Sequence, residues 1–363
     1  MRRAVGVLAL VTVGAVALAV APPMAVGDTS RAEAGMPGTS ELPPRKVVVG
    51  TLMYAMWFEY PGLERRLEAL ASFVDLMAAE AQHQFRRGLD LVALPENAVT
   101  AGLRGTAADT SFPLEGMVLE KMGALARRHH TYLIVPMGLV EEEAKDRYYN
   151  VCVLLNREGK VAGIYRKVHP VDSARDGVLE GGYLPGEEFP VFTCDFGKVG
   201  IQICYDMSFD DGWEALARKG AELVIWSTAS PQTVAPRCRA RRYGYYIVSS
   251  TWRNNASFFD PTGAVFAQTT TPSSVLVQEI DLSYVLLDWQ PALENGQALV
   301  RKYGDAVGFR YSEAEDAGIF WSNDPKTPIM EMVRGLDLEP SQLAIARNRE
   351  LQDRLRGGPP RQD

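Results

Sequence analysis

The sequence predicts an α/β chain in which mixed β-sheet, arranged in two layers, is covered by helices. Three observations carry this reading. Short, nearly continuous apolar runs recur along the chain, the pattern of strands buried on both faces. Amphipathic stretches with 3- and 4-residue steps separate several of them. Other runs are joined by short polar links containing Gly, which read as hairpins, so parallel and antiparallel pairing are mixed.

Taken in order, Val47–Met53 (VVVGTLM) is the first strand. Leu63, Leu67, Leu70, Val74, Met77 and Ala81 then place one apolar stripe on a helix that ends near Arg87-Gly88. Leu89–Leu94 returns as a strand and stops at Pro95-Glu96. A second helix over Gly116–His130 leads into a strand at Tyr132–Leu139. Tyr149–Leu155 and Val161–Tyr165 flank NREGK, and Phe189–Cys194 and Val199–Cys204 flank DFGK, two hairpin signals. Trp213–Lys219 is helical, and Glu222–Ser227 and Tyr245–Thr251 are strands. Asp260-Pro261-Thr262-Gly263 closes a hairpin that leads into Ser274–Ile280. From about Gln290 the pattern loosens, and the Arg-, Glu- and Gln-rich end reads as an exposed helix and tail.

The 363 residues carry 38 Lys and Arg against 45 Asp and Glu, a net charge of −7. That balance leaves no basic stripe for nucleic acid. Four cysteines are too few for a disulfide framework. Cys152, Cys194 and Cys238 read as buried fillers, with one bridge among them left open. Four His without CxxC or HxxxH spacing argue against a metal, and no GxGxxG or P-loop argues for a nucleotide. No cofactor is expected.

Arg2-Arg3, the uncharged apolar run to Ala21, and the small residues around Gly27 describe an export signal over 1–27. The alternative is an uncleaved membrane anchor. Residues 28–45 read as a disordered leader, 46–289 as the domain, and 290–363 as a C-terminal extension. The mature chain is then expected in the periplasm or outside the cell.

Three ionisable residues end strands: Glu96 after LDLVALP, Lys167 after GKVAGIYR, and Cys204 after GIQI. Strand ends are where α/β proteins aim their sites. Taken singly, each has a plain reading: a carboxylate capping a turn, a solvated lysine, a small buried filler. Together they form a chemical set. A thiol attacks only as thiolate and needs a base beside it, which a carboxylate supplies. An ammonium stabilises both the thiolate and the oxyanion that follows. Acyl transfer then needs neither His nor metal.

The segments LDLVALPE (89–96), YRKVHP (165–170) and GIQICYDMSF (200–209) resemble the three signature motifs of the nitrilase superfamily of carbon–nitrogen hydrolases. Asn150 with NREGKVAGIYRK, and KGAELVIWSTAS (219–230), extend the resemblance over Lys46 to Leu282. It implies a four-layer αββα sandwich of two mixed sheets with outer helices. It also implies Glu96 as general base, Lys167 as oxyanion stabiliser and Cys204 as nucleophile. Glu180 in LEGGYLPG is similar to the family's second glutamate, with a surface loop acid as the alternative. The backbone N–H of Tyr205 would be a second oxyanion donor. Two departures stand out. Asp210-Asp211 replaces the Pro-Glu of many members, and Cys204-Tyr205-Asp206 resembles the amide- or carbamoyl-cleaving branches more than the nitrile-cleaving Cys-Trp-Glu.

The expected function is therefore an exported hydrolase of a small amide or carbamoyl substrate through a thioester on Cys204. An acyltransferase using the same thioester, or a non-catalytic binding module on the same scaffold, are the alternatives. Trp57 and Trp226, with Tyr54, Phe58, Tyr60 and Trp252, either line the substrate entrance or pack. The resemblance implies at least a homodimer, with the segment after Gln290 wrapping on the partner.

Overall fold

The computed structural model describes residues 41–56, 59–141, 146–172, 174–270 and 273–357. Residues 1–27, read above as an export signal, residues 28–40 of the expected leader, and Trp57 and Phe58 lie outside the described residues. The first sheet contains β1 (Lys46–Leu52), β2 (Leu91–Ala93), β3 (Ser111–Phe112), β4 (Tyr132–Val140), β5 (Tyr148–Leu155), β6 (Val161–Arg166) and β13 (Val275–Asp281). Its order is β13-β1-β2-β4-β5-β6, with β3 beside β4. The second contains β7 (Val191–Cys194), β8 (Gly197–Ile203), β9 (Leu223–Ser227), β10 (Tyr246–Ser250), β11 (Ser257–Phe259) and β12 (Val265–Gln268), ordered β12-β11-β10-β9-β8-β7. Both sheets are mixed. β1, β2 and β4 run parallel, as do β8, β9 and β10, while the flanking strands are antiparallel.

Strand parity builds the layers. Val47, Val49, Leu91, Ala93, Ile134 and Leu154 face Val199, Ile201, Leu223, Ile225 and Val248 between the sheets. The alternate residues Val48, Leu52, Val92, Leu133 and Val151 face outward to α1 (Leu63–Phe85) and α2 (Met117–His129). The stripe Leu67, Leu70, Val74, Met77 and Ala81 on α1 is buried there. On the far side, Val224, Trp226 and Ile247 meet α3 (Asp211–Arg218) and α4 (Val234–Tyr243) through Trp213, Leu216 and Ala240. The result is the expected αββα order.

Hydroxyls stitch the sheets together where the parallel strands end. Thr51 Oγ1 donates to Ser249 O, Ser227 Oγ to Leu94 O, and Ser250 Oγ to Leu52 O and Ala93 O. Each removes an otherwise unsatisfied group from the dry space between the sheets. These bonds fix the ends of β1, β2, β9 and β10 against one another, and the site lies at those ends.

Several elements differ from the sequence reading. The DPTG hairpin joins β11 to β12; β13 instead crosses to the first sheet and pairs antiparallel with β1. The helix α4 was not foreseen, because its residues VAPRCRARRY place Pro236 in the first turn and lack a clean apolar stripe. Beyond the two sheets, β14 (Tyr284–Asp288), β15 (Val307–Ser312) and β16 (Ala317–Ser322) form a third sheet, ordered β14-β16-β15. With α5 (Gln297–Tyr303) and α6 (Ile329–Arg334) it buries its own core of Leu287, Leu293, Leu299, Phe320, Ile329 and Val333. The stretch that reads as loose therefore folds back on its own chain, where Arg310 Nε donates to Asp260 Oδ2 at 3.3 Å. The final helix α7 (Ser341–Arg356) is exposed along most of its length.

Candidate active site

Four loops converge at the strand ends. Glu96 follows β2 through Leu94 and Pro95, and its chain continues into a helical turn in which Ala101 N donates to Asn97 O. Lys167 directly follows β6, and its N–H donates to Asn150 O on β5. Cys204 directly follows β8 and opens a 3-10 turn, Cys204–Ser208. Glu180 lies in a second short turn, Leu179–Gly181. Cys204 (φ 41°) and Glu180 (φ 42°) both occupy the left-handed region. Non-glycine residues held there mark places where the surroundings impose a strained backbone.

The side chains form a closed ring. Lys167 Nζ, 1% exposed, donates to Glu96 Oε1 at 2.8 Å and to Glu180 Oε1 at 2.5 Å. Asn150 Nδ2 donates to the same two carboxylates, at 3.1 Å to Glu96 Oε1 and 3.1 Å to Glu180 Oε2. Glu180 is held further by Val171, whose N–H donates to its Oε1 at 3.0 Å. The indole N–H of Trp252 fixes the carbonyl oxygen of Glu96 at 2.7 Å.

Electrostatics follow from this packing. Burial alone disfavours the Lys167 ammonium, but Glu96 and Glu180 outweigh it, and its pKa is raised. The Cys204 thiol is pushed up to about 12, first by burial and then by the Glu96 charge. Lys167, the Ala229 N–H and the Thr228 hydroxyl act in the opposite sense. At neutral pH the resting sulfur is therefore a protonated thiol, and a base must take its proton during attack.

One residue ties the cysteine turn to the lysine strand. The carboxylate of Asp206, fully buried, accepts Ile203 N–H at 2.8 Å and Tyr165 O–H at 2.7 Å on Oδ2. Its Oδ1 accepts the backbone N–H of His169 and lies 3.0 Å from His169 Nδ1. His169 also pairs with Asp211 through Nε2 at 3.3 Å and stacks on Phe209 at 3.9 Å. No local sequence pattern marks this clamp, because Asp206 meets Tyr165 and His169 only after the sheets stack.

Of the residues expected at the site, the structure brings together Glu96, Lys167 and Glu180 by direct contact, with Cys204 inside their field. Tyr205 is the second residue of the 3-10 turn, where backbone N–H groups have no intrahelical partner. Trp226 is a correction. It is fully buried against α3 and α4, and its indole N–H donates to Cys204 O at 3.1 Å, so it braces the cysteine turn from behind and lines no entrance. Trp57 lies outside the described residues. Cys238 is a second correction: it is exposed on α4, whereas Cys152 and Cys194 are buried, and all four cysteines are free. Asn150, Asp206 and Trp252, which the sequence names without a supporting role, and Thr228, which it does not single out, support the site.

Two mixed sheets face to face, helices outside, and a cysteine at a strand end beside a buried lysine define an enzyme fold of the nitrilase type. Residues 60–287 match the carbon-nitrogen hydrolase family, and the chain belongs to it. It is a hydrolase of the nitrilase superfamily, acting on carbon–nitrogen bonds other than peptide bonds. Among similar proteins, the omega-amidase NIT2-A of Xenopus laevis is 29% identical over 227 residues, covering 55% of this chain and 79% of that one. The human deaminated glutathione amidase is 32% identical over 203 residues, 48% of this chain and 61% of that one. A probable nitrilase from Schizosaccharomyces pombe is 33% identical over 114 residues, and the match spans only 40% of its length. The solved structure of Saccharomyces cerevisiae Nit3 superposes with a TM-score of 0.54 at 22% identity, covering 65% of this chain and 90% of that one.

Proposed function

We propose that this protein hydrolyses a small-molecule amide through a thioester on Cys204. The observation that carries the reading is the buried Lys167 ammonium gripped by Glu96 and Glu180 beside a thiol that is protonated at rest. Glu96 takes the thiol proton as sulfur attacks the amide carbonyl carbon. The oxyanion faces Lys167 and the N–H of Tyr205. The C–N bond then breaks, and the proton held by Glu96 passes to the leaving nitrogen. Water, giving a proton to Glu96, attacks the thioester; the acid leaves and sulfur recovers that proton.

Amides are favoured over nitriles because Cys204-Tyr205-Asp206 resembles the amide-cleaving branches and because amidases recur among the similar proteins. A screen of amides, N-carbamoyl compounds and nitriles with ammonia release as readout tests this. Turnover confined to nitriles overturns the amide reading. Turnover of amides by Cys204→Ala at the wild-type rate overturns the thioester.

The same proposal places the mature chain outside the cytoplasm, on the strength of Arg2-Arg3 and the apolar run that follows. An intact-mass measurement on secreted material, expected to begin near Asp28, tests it. Association as at least a homodimer is proposed on the family resemblance, and light scattering showing a monomer at micromolar concentration removes it.

A further inference from the structure

The pair Asp210-Asp211, where many family members carry Pro-Glu, divides its two charges between different partners. Asp210 pairs with Arg239 and Arg242 on α4. Asp211, the first residue of α3, reaches back instead to His169 Nε2 at 3.3 Å. The other nitrogen of that ring, Nδ1, lies 3.0 Å from Oδ1 of the fully buried Asp206. One imidazole therefore spans two carboxylates, one inside the cysteine turn and one on the helix that follows it.

The ring is fixed in that place. Its side chain is 15% exposed, and it stacks on Phe209 with centroids 3.9 Å apart and planes within 9°, with Phe189 6.1 Å away. Among the described residues, only Asp206 and Asp211 form ion pairs with it. A neutral imidazole has one N–H and one lone pair. It can donate to either carboxylate, and the other then meets a lone pair at hydrogen-bond distance. Only the imidazolium donates to both. Burial opposes that charge, and the two carboxylates outweigh burial.

The bridge stands close to the chemistry. His169 follows Lys167 by two residues, as Asp206 follows Cys204. Asp206 also accepts the N–H of Ile203, and Trp213 on α3 donates its indole N–H to Asp206 O at 3.0 Å. The protonated ring thus joins the end of the lysine strand, the cysteine turn and the start of α3. Once the proton leaves, the bond to Asp211 is the one that gives way. Its side chain is 58% exposed and can turn to water, whereas buried Asp206 has no such recourse.

We propose that His169 is a positioning residue for acylation of Cys204, and that it works only as the imidazolium that holds Asp206 and Asp211 together. The inference rests on the reading of Cys204 as the nucleophile of a thioester mechanism. His169 touches no reacting atom; its proton sets how firmly the cysteine turn is held against Lys167. Acylation is therefore fastest with the ring protonated and slows as pH rises through its titration. Neither the nucleophile nor the ammonium titrates in that range, since burial pushes the Cys204 thiol up to about 12 and the two glutamates, outweighing burial, raise Lys167.

The test reads acylation directly, as nitrophenol released from p-nitrophenyl acetate between about pH 6 and about pH 10, with Cys204→Ala subtracted. The wild-type rate is expected to fall by about tenfold across that range, the scale of a slightly misplaced nucleophile. His169→Gln should stay near the lower level at every pH. Asp211→Ala should move the fall to lower pH, because one of the two anions that favour the proton is gone. A ring that only packs would, when replaced, lower the rate by one factor at every pH. A flat wild-type profile, or a fall that persists unmoved in His169→Gln, overturns the positioning role and leaves the thioester standing. Absence of any release that depends on Cys204 overturns the thioester, and the role of His169 with it. Acylation with the expected profile but no turnover of amides supports the role of His169 and overturns only the amide reading. If His169→Gln does not fold, Asp211→Ala decides, and an unmoved fall there overturns the proposal.

Discussion

Replacing Asp206 by Asn removes a charge but almost no volume, so its effect isolates the clamp between the cysteine turn and the lysine strand. The two carboxylate oxygens each accept one backbone N–H, His169 on Oδ1 and Ile203 on Oδ2. Asparagine keeps one acceptor and turns the other into a donor. The Tyr165 hydroxyl can rotate and the His169 ring can change tautomer to accept from it. A backbone N–H can do neither. Whichever way the amide turns, one buried N–H faces an NH2 group. An orphaned buried donor and the loss of charge-assisted bonds together predict destabilisation of about 2–4 kcal/mol. Urea unfolding of wild type and Asp206→Asn at pH 7 measures it. Because Ile203 precedes Cys204 and His169 follows Lys167, a loosened clamp also misplaces nucleophile against ammonium, and kcat/KM should fall by about 10- to 100-fold. A shift in stability under about 0.5 kcal/mol, with unchanged kcat/KM, refutes the clamp, because that is the range of a neutral surface change.

Cys204→Ala should abolish both the covalent adduct and turnover, whereas Glu180→Gln should leave Cys204 able to react with an activated acyl donor while amide turnover falls; intact mass after mixing with substrate shows which adducts form. A fully active Glu180→Gln removes the role given to the second glutamate and nothing else. Asp206 and Asp211 outweigh the effect of burial and raise the His169 pKa. Its contribution to stability is therefore complete below the unfolded value of about 6.5 and lost as pH rises through the folded value. His169→Phe, which keeps the ring beside Phe209, should flatten that part of the stability–pH profile, and an unchanged profile rules His169 out as its source. Arg310 lies between the rings of Phe266 and Trp321, at 3.9 and 4.8 Å, and its Nε donates to Asp260 at 3.3 Å. Arg310→Ala should cost about 1–3 kcal/mol and speed proteolysis of the third sheet; an unaltered digestion pattern contradicts its role as the staple.

What the sequence made legible follows from periodicity. The helix α1 has one apolar stripe, and its buried residues are those that the 3- and 4-residue steps select, except that Arg66 is buried as well and Leu63 only half-buried. The strand ends at Glu96, Lys167 and Cys204 are legible because a polar residue interrupts an apolar run. The face a residue takes is not legible in a strand such as LVIWS, because every position is buried. Leu223 and Ile225 turn towards the first sheet while Val224 and Trp226 turn towards the helices, so the tryptophan that seemed available to a substrate is core. The third sheet was hidden for a different reason. Its strands carry Gly308 and Gly318, whose missing side chains admit the Trp321 and Phe320 rings, and glycine inside a short run weakens the strand signal. Long-range clamps such as Asp206 with His169 are invisible to any local pattern, since the partners meet only after the sheets stack.

The charges of the site explain why a protonated thiol is an asset in the proposed reaction. At rest Glu96 and Glu180 are two negative charges around the one positive charge of Lys167, and Cys204 is neutral. Attack moves a proton from sulfur to Glu96 and places a negative charge on the substrate oxygen. One anion disappears as another appears, both within reach of the same ammonium, so the net charge of the buried cluster is unchanged. A site that had to create charge in a dry interior would meet the full desolvation penalty in the transition state. A site that only relocates it does not, provided that the cation stays still. Lys167 is held by both glutamates, and Asn150 locks those glutamates to each other. When Glu96 becomes neutral its hold on the lysine weakens, and Glu180 keeps the ammonium in place while the oxyanion takes up the released interaction. This assigns the second carboxylate a reason to exist that involves no proton transfer of its own. Donors that are fixed before the charge develops need no reorganisation at the moment of reaction.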